Sequence, residues 1–164
     1  MAESRTLVLS LGANLGDTAA TLATAVDALR STPGITVTAV SPVYRTAPVG
    51  GVEQPDFVNL VVLATTSLEP DDVLAATAQI ETAAGRTREV HWGPRTLDID
   101  IIAIDGVVRD DAHLTLPHPR AHERAFVLVP WCAIDPDAVL PGHGRVADLA
   151  ARASSDPAQR VEVA

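Results

Sequence analysis

The chain of 164 residues contains no lysine; all 12 of its basic residues are arginine. That excludes a Schiff-base lysine and the lysine of a Walker A phosphate loop. A single cysteine, Cys132, excludes an internal disulfide framework and a thiolate zinc centre, and it fits a reducing compartment, the cytoplasm. Positive charge is in the minority, 12 basic against 21 acidic residues, for a net charge of −9. Nucleic acid and anionic membranes both call for a dominant basic surface, so neither is expected as a partner. No apolar run approaches the roughly 18 residues of a membrane span, and residues 1–20 show no basic-then-apolar secretory signal. Aromatic residues are only five: Tyr44, Phe57, Trp92, Phe126 and Trp131.

What is present fits one folded domain over residues 1–164, since 47% of the residues are hydrophobic. Residues 6–11 read as a buried strand ending at a Gly12–Asn14 turn. Asp17 is a candidate N-cap for a helix with Leu22, Val26 and Leu29 on one face, stopped by Pro33–Gly34. Residues 35–43 alternate as a second strand, 45–55 read as a Pro/Gly loop, and 57–66 as a third strand. Pro70 suits a first helical position, and Val73, Ala76, Ile80 and Ala83 are expected to share the inward face of that helix, with Gly85 as its stop. Residues 97–104 form a fourth strand. The order βαββαβ predicts an α+β, ferredoxin-like sandwich, followed from residue 107 by a loop-rich C-terminal extension with a short helix near 145–153.

The chemistry centres on Asp98 and Asp100. Residues i and i+2 of a strand share a face, about 7 Å apart, and two such carboxylates suit a hard divalent cation such as Mg²⁺. The plainer alternative is a solvated acidic face, but the flanking Leu97, Ile99, Ile101 and Ile102 mark a central strand, where uncompensated acids are costly. Arg86, Arg88 and Arg95 lie within ten residues of one another just before the pair, and Arg124 follows beside His118. Guanidinium forks match phosphate oxygens, so arginines near paired acids suggest a polyphosphate held with Mg²⁺. Phe57 and Asn59 share a strand face, where a flat heterocycle would stack and be read by an amide; plain core packing is the alternative for Phe57, and the stronger reading for Trp131. The remaining histidines show no metal-ligand spacing, so no zinc site is expected.

Several separated motifs stand in an order that resembles the 6-hydroxymethyl-7,8-dihydropterin pyrophosphokinase family of folate biosynthesis. They are YRTAPVG at 44–50, QPDFVN at 54–59, Gly85–Arg86, WGPRTLDIDI at 92–101 and LPHPR…R.F at 116–126. The resemblance implies an ATP-dependent transfer of pyrophosphate to the pterin hydroxymethyl group, leaving AMP, with attack on the β-phosphorus. It implies two Mg²⁺ ions on Asp98 and Asp100, with Arg86 and Arg95 on the phosphates as catalytic residues. By the same resemblance His118 and Arg124 contact ATP from the far side, and Arg88 and Trp92 close over it. Glu81 and Thr115 are implied as further nucleotide contacts. The pterin is implied to lie between Phe57 and Phe126, with Asn59, Thr46 and the backbone near Val49 reading its edge. A monomer is implied. Phe57 stands where many relatives have tyrosine, Ala13 where they have serine, and Pro119 where some have an aromatic residue. Two other readings stay open from the residues alone: an Mg²⁺-dependent nucleotidyl enzyme, and a non-catalytic ligand-binding module on the same fold.

Overall fold

In a computed structural model, the structure describes residues 3–46, 56–85 and 96–164. Residues 5–104 carry five strands and two helices: β1 (Arg5–Ala13), α1 (Thr18–Arg30), β2 (Ile35–Val40), β3 (Tyr44–Thr46), β4 (Phe57–Thr66), α2 (Pro70–Ala83) and β5 (Asp98–Ile104). Two short hairpins follow, β6 (Arg109–Asp110) with β7 (Thr115–Leu116), and β8 (Val139–Leu140) with β9 (Gly144–Arg145). Helix α3 (Ala125–Ile134) lies between the hairpins, α4 (Val146–Ser154) follows the second, and β10 (Val161–Val163) comes last.

One antiparallel sheet organises these elements. Its order is β10-β3-β4-β1-β5, with β2 also pairing β4 beyond β3. The strand expected over 35–43 ends at Val40, and a separate short strand, β3, takes Arg45 and Thr46 from the segment 45–55 expected to be a loop, because both pair with β4. Ser41 bridges the break between them: its N–H donates to the Val61 carbonyl, and its Oγ accepts from the Val61 N–H, both at 2.9 Å. Pro42 carries no N–H to continue a ladder, which suits it to this gap.

Alternation along β1 divides the core. Leu7, Leu9 and Leu11 enter one apolar cluster with Leu22 and Leu29 of α1 and Val73 of α2. Val8 enters a second cluster on the other face, with Val61, Ile102, Leu128 and Trp131 of α3, and Leu149 of α4. The segment from 107 onward is thus not a loop-rich extension in the main. It supplies two helices that cover the second face of the sheet. Trp131 is core, as its plainer reading held. Each fully buried leucine contributes about 2 kcal/mol of transfer free energy.

Local rules account for the helix ends. Asp17 caps α1, its carboxylate accepting from the Ala20 N–H at 3.1 Å. Removing that oxygen orphans a first-turn donor, so Asp17→Ala is expected to cost about 1 kcal/mol and lower the melting temperature by a few degrees. A calorimetric scan of the variant checks this. Pro70 opens α2 as expected, and Gly85 follows its last turn with φ of 80°, a left-handed conformation that glycine adopts without penalty. The inward face of α2 includes Val73, with Ala76 and Ile80 packed against the core as expected, but its fully buried set differs. It is Pro70, Val73, Thr77 and Glu81, while Ala83 is exposed. Two polar side chains face inward because each finds a partner: Thr77 Oγ1 donates to the Leu74 carbonyl, and Glu81 accepts from a strand N–H.

Candidate active site

Register brings the candidate residues together. Strand β1 runs on through Gly12 to Ala13 rather than turning at Gly12, because it is paired on both sides there. Gly12 lies opposite Asn59 of β4 and Asp98 of β5, and Asn59 lies opposite Tyr44 of β3. Directly opposed residues of antiparallel strands share a face. Tyr44, Asn59, Gly12 and Asp98 therefore form one row across the sheet, on the face covered by α3. Thr46 and Phe57 pair beside that row, and Ser10 and Asp100 pair on its other side. The alternation expected of Asp98 and Asp100 is present, both half-buried and flanked by the buried Leu97, Ile99 and Ile101.

At the Asn59 end, the side chains are ordered by hydrogen bonding. Asn59 Nδ2 donates to Thr46 Oγ1 at 2.9 Å, and both residues are buried. Gly12 makes room for the amide: a Cβ there would lie 2.7 Å from Asn59 Oδ1. The local sequence predicts only a turn at Gly12. The signal that identifies its role is its register opposite Asn59 and Asp98, which no local pattern carries.

At the Asp100 end stands Arg124, on the residue just before α3. Its guanidinium lies 3.8 Å from the Asp100 carboxylate and 5.5 Å from the ring centre of Phe126. One cation thus stands between an acid and an aromatic face, a favourable electrostatic arrangement. His118 reaches the same region from the segment after β7. Its N–H donates to the Ile102 carbonyl at 2.8 Å, and its Nδ1 accepts from the Arg120 N–H at 3.2 Å, which leaves the ring proton on Nε2. Burial pushes the His118 imidazole down to about 4, with the Arg124 charge acting in the same direction and Asp98 opposing.

That shift has a consequence for stability. Between the ordinary histidine value near 6.5 and about 4, the unfolded chain binds a proton that the folded protein does not. Stability from this group is complete above pH 6.5 and is lost progressively as the pH falls toward 4. The ligand-free melting temperature is expected to drop on acidification from pH 7 to 5, and His118→Gln is expected to flatten that dependence. Thermal scans across the pH series check it.

Beside the acids opens a cleft of about 280 Å³, lined by Leu74, Ile101, Asp100, Thr115, Leu114 and His118, among others. Its rim is braced by Arg109, which donates to Asp71 of α2 and to Asp111, each at 2.7 Å. Asp111 also accepts from the N–H groups of His113 and Leu114, and with Arg109 these hold its carboxyl down to about 2. Thr115 stands in the cleft wall. Glu81 stands elsewhere: its carboxylate accepts from the Ile99 N–H at 2.9 Å, fixing β5 between the two aspartates. Val49, Arg86, Arg88, Trp92 and Arg95 lie outside the described residues.

Mg²⁺ fits the donor set on β5. Hard carboxylate oxygens are the ligands it prefers, and it retains waters and substrate oxygens for the rest of its shell. Among the described residues no cluster of three or more His, Cys, Asp or Glu forms a closed metal cage. Two carboxylates beside an open cleft suit an ion shared with a phosphate chain.

The sequence profile described as 7,8-dihydro-6-hydroxymethylpterin-pyrophosphokinase matches residues 8–136. The chain belongs to this family. It is 47% identical over 154 residues to a Methylorubrum extorquens protein named 2-amino-4-hydroxy-6-hydroxymethyldihydropteridine pyrophosphokinase, covering 94% of this chain and 97% of that one. A Mycobacterium tuberculosis protein of the same name is 46% identical over 148 residues, covering 84% and 77%. Among solved structures, the wild-type Plasmodium falciparum HPPK-DHPS with pterin and p-hydroxybenzoate superposes with a TM-score of 0.72 at 15% identity. It covers 94% of this chain and 44% of that longer one, so it speaks to the pyrophosphokinase fold alone. The pyrophosphokinase match takes in β1 through α3, and therefore every candidate site residue.

Proposed function

We propose that the face of the sheet under α3 is where this pyrophosphokinase carries out its reaction. The chain is an ATP-dependent diphosphotransferase of folate biosynthesis. Pyrophosphate passes from ATP to 6-hydroxymethyl-7,8-dihydropterin, giving AMP and the pterin diphosphate. The observation that carries the assignment of place is the row Asn59–Gly12–Asp98, which sets a heterocycle-reading amide one strand away on either side of a glycine from a metal-competent acid.

The division of labour follows from the chemistry of each group. Asn59, held by Thr46, reads the polar edge of the pterin, with the backbone near Val49 completing the contact. Phe57 and Phe126 stack on its two faces. Asp98 and Asp100 would hold two Mg²⁺ ions, which would neutralise the triphosphate and favour the ionised form of the hydroxyl. Arg86, Arg95, Arg124 and His118 bind the phosphates, His118 as a neutral donor through Nε2. Arg88 and Trp92 close over the nucleotide, and Thr115 contacts it from the cleft wall. Glu81 contributes from beneath, by fixing the strand that bears the acids. The hydroxymethyl oxygen bonds to the β-phosphorus as the bond from that phosphorus to the AMP oxygen breaks, and the hydroxyl proton is lost to solvent. No covalent intermediate on the protein is needed, so rate enhancement comes from alignment and charge stabilisation.

The strand order of β2/β3, β4, β1 and β5 supports reading residues 5–104 as a ferredoxin-like core within one domain over 1–164. A cytoplasmic monomer, with neither nucleic acid nor membrane as partner, is part of the same proposal. The acidic net charge of −9 supports the part of it that leaves out nucleic acid and anionic membranes. Product identity tests the function. Mass spectrometry of the pterin product should show two added phosphoryl groups, with AMP as co-product. Release of free pyrophosphate with a nucleotidylated product would instead place the chain among nucleotidyl enzymes.

A further inference from the structure

Helix α3 begins without a cap of its own. The residue at its N-cap position is Arg124, whose side chain makes no capping bond and lies near Asp100 instead. Ser, Thr, Asp or Asn normally stands at such a position to satisfy the first N–H groups. Here the missing oxygen comes from 34 residues away in sequence. Gln159 Oε1 accepts from the Ala125 N–H at 2.8 Å, and Gln159 Nε2 donates to the Glu123 carbonyl at 2.9 Å. One amide thus clasps the backbone on both sides of Arg124, one residue before Phe126.

The same segment is fastened at both ends. Upstream, Asp156 accepts from the Ala158 N–H at 2.9 Å and fixes the 3₁₀ turn Pro157–Gln159 that presents the amide. Downstream, β10 pairs with β3, with Val161 opposite Thr46 and Val163 opposite Tyr44, and the Ala164 N–H donates to the Val43 carbonyl at 2.9 Å. Val161 also packs against the cluster beneath α3. The stretch therefore joins the strand that carries Thr46 to the turn that carries Arg124. It lies beyond residue 136, where the family match ends.

We propose that residues 156–163 are a positioning strap for the site, with Gln159 as the positioning residue that lets an arginine occupy the N-cap of α3 and holds the backbone from which its guanidinium reaches the site. The strap rests on the reading that Arg124, Phe126 and Thr46 contact substrate. Gln159 itself touches neither substrate. It acts on the two site residues that flank its hydrogen bonds, so its loss is felt as misplacement of Arg124 and Phe126.

The test uses the full chain in four forms: wild type, Gln159→Ala, Arg124→Ala and the double variant. kcat/KM for the pterin is measured per folded molecule, well below the melting temperature. Gln159→Ala is expected to lower kcat/KM about tenfold, the scale of one lost hydrogen-bonded clasp. In the Arg124→Ala background the same change is expected to cost about threefold or less, because coupled residues are not additive. Gln159→Glu keeps an oxygen for the Ala125 N–H and is expected to fall between wild type and Gln159→Ala. It also serves as the single variant should Gln159→Ala fail to fold. A clasp that serves only stability would lower the melting temperature and leave kcat/KM per folded molecule within twofold of wild type, and that result overturns the strap. So does full additivity in the double variant. Arg124→Ala separates the two claims: if it alone retains wild-type kcat/KM, the site reading has failed; if it loses activity while Gln159→Ala does not, only the strap has failed.

Discussion

An Asp98→Asn variant is expected to lose at least about a thousandfold in turnover with both substrates saturating, equivalent to about 4 kcal/mol of transition-state stabilisation. The substitution keeps the shape of the side chain and removes its charge. Asp98 is half-buried beside Gly12, which has no side chain, so the amide meets no new steric conflict on that side. On the proposed reading of the site, what it loses is the ability to hold a divalent cation against the charge that builds on the transferred phosphates. Asp100→Asn should fall comparably, and it also removes the charge that faces Arg124 at 3.8 Å. AMP release at saturating substrates checks both. Retention of more than a tenth of wild-type turnover in a well-folded Asp98→Asn protein would show that the acid has no part in the chemistry.

The second large effect is expected at a residue that contacts no substrate. Gly12→Ala places a methyl group 2.7 Å from Asn59 Oδ1 and 3.8 Å from the Val58 carbonyl. The first distance is shorter than packed atoms accept, so the Asn59 amide must swing away or the strands must part. Asn59 is buried and tied to Thr46, so swinging away breaks that bond as well. A site built to hydrogen-bond a polar heterocycle loses affinity steeply when its donors and acceptors are misaligned. The KM for the pterin should rise at least about tenfold, and that for ATP by less than about threefold. Steady-state kinetics with each substrate varied in turn make the comparison. An equal rise in both constants would mean that Gly12 supports the sheet and not pterin recognition.

How much of this was readable from the sequence depends on which interactions are local. The paired acids were legible because period-two spacing in an apolar strand puts them on one face whatever the rest of the fold does. The caps of α1 and α2 were legible because Asp17 and Pro70 act within one turn. Helix α3 was not, since AFVLVPWCAI is apolar all round and contains Pro130, which together remove the periodic signal and add a breaker. It is a helix because both of its sides are needed to cover the second face of the sheet. The face of α2 was misjudged for a related reason. Ala83 fits an apolar stripe but is exposed, while Glu81 is drawn inward by the Ile99 N–H, a bond across 18 residues. Gly12 and Gln159 show the same limit. Each acts through partners distant in sequence, and nothing in their neighbours announces the role. The family motifs, by contrast, place Asn59, Asp98, Asp100, His118 and Phe126 at the α3 side of the sheet or along the cleft beside it, while Gly85 stands apart at the end of α2.

The most direct test of the central claim is a crystal structure of the protein with a non-hydrolysable ATP analogue, Mg²⁺ and 6-hydroxymethyl-7,8-dihydropterin. The account predicts metal ions about 2.0–2.1 Å from oxygens of Asp98 and Asp100. It also predicts the pterin against Asn59 between Phe57 and Phe126, and Arg124 turned from Asp100 toward the phosphates. A triphosphate and a pterin bound together anywhere other than the α3 face of the sheet, with the two aspartates uninvolved, would contradict it.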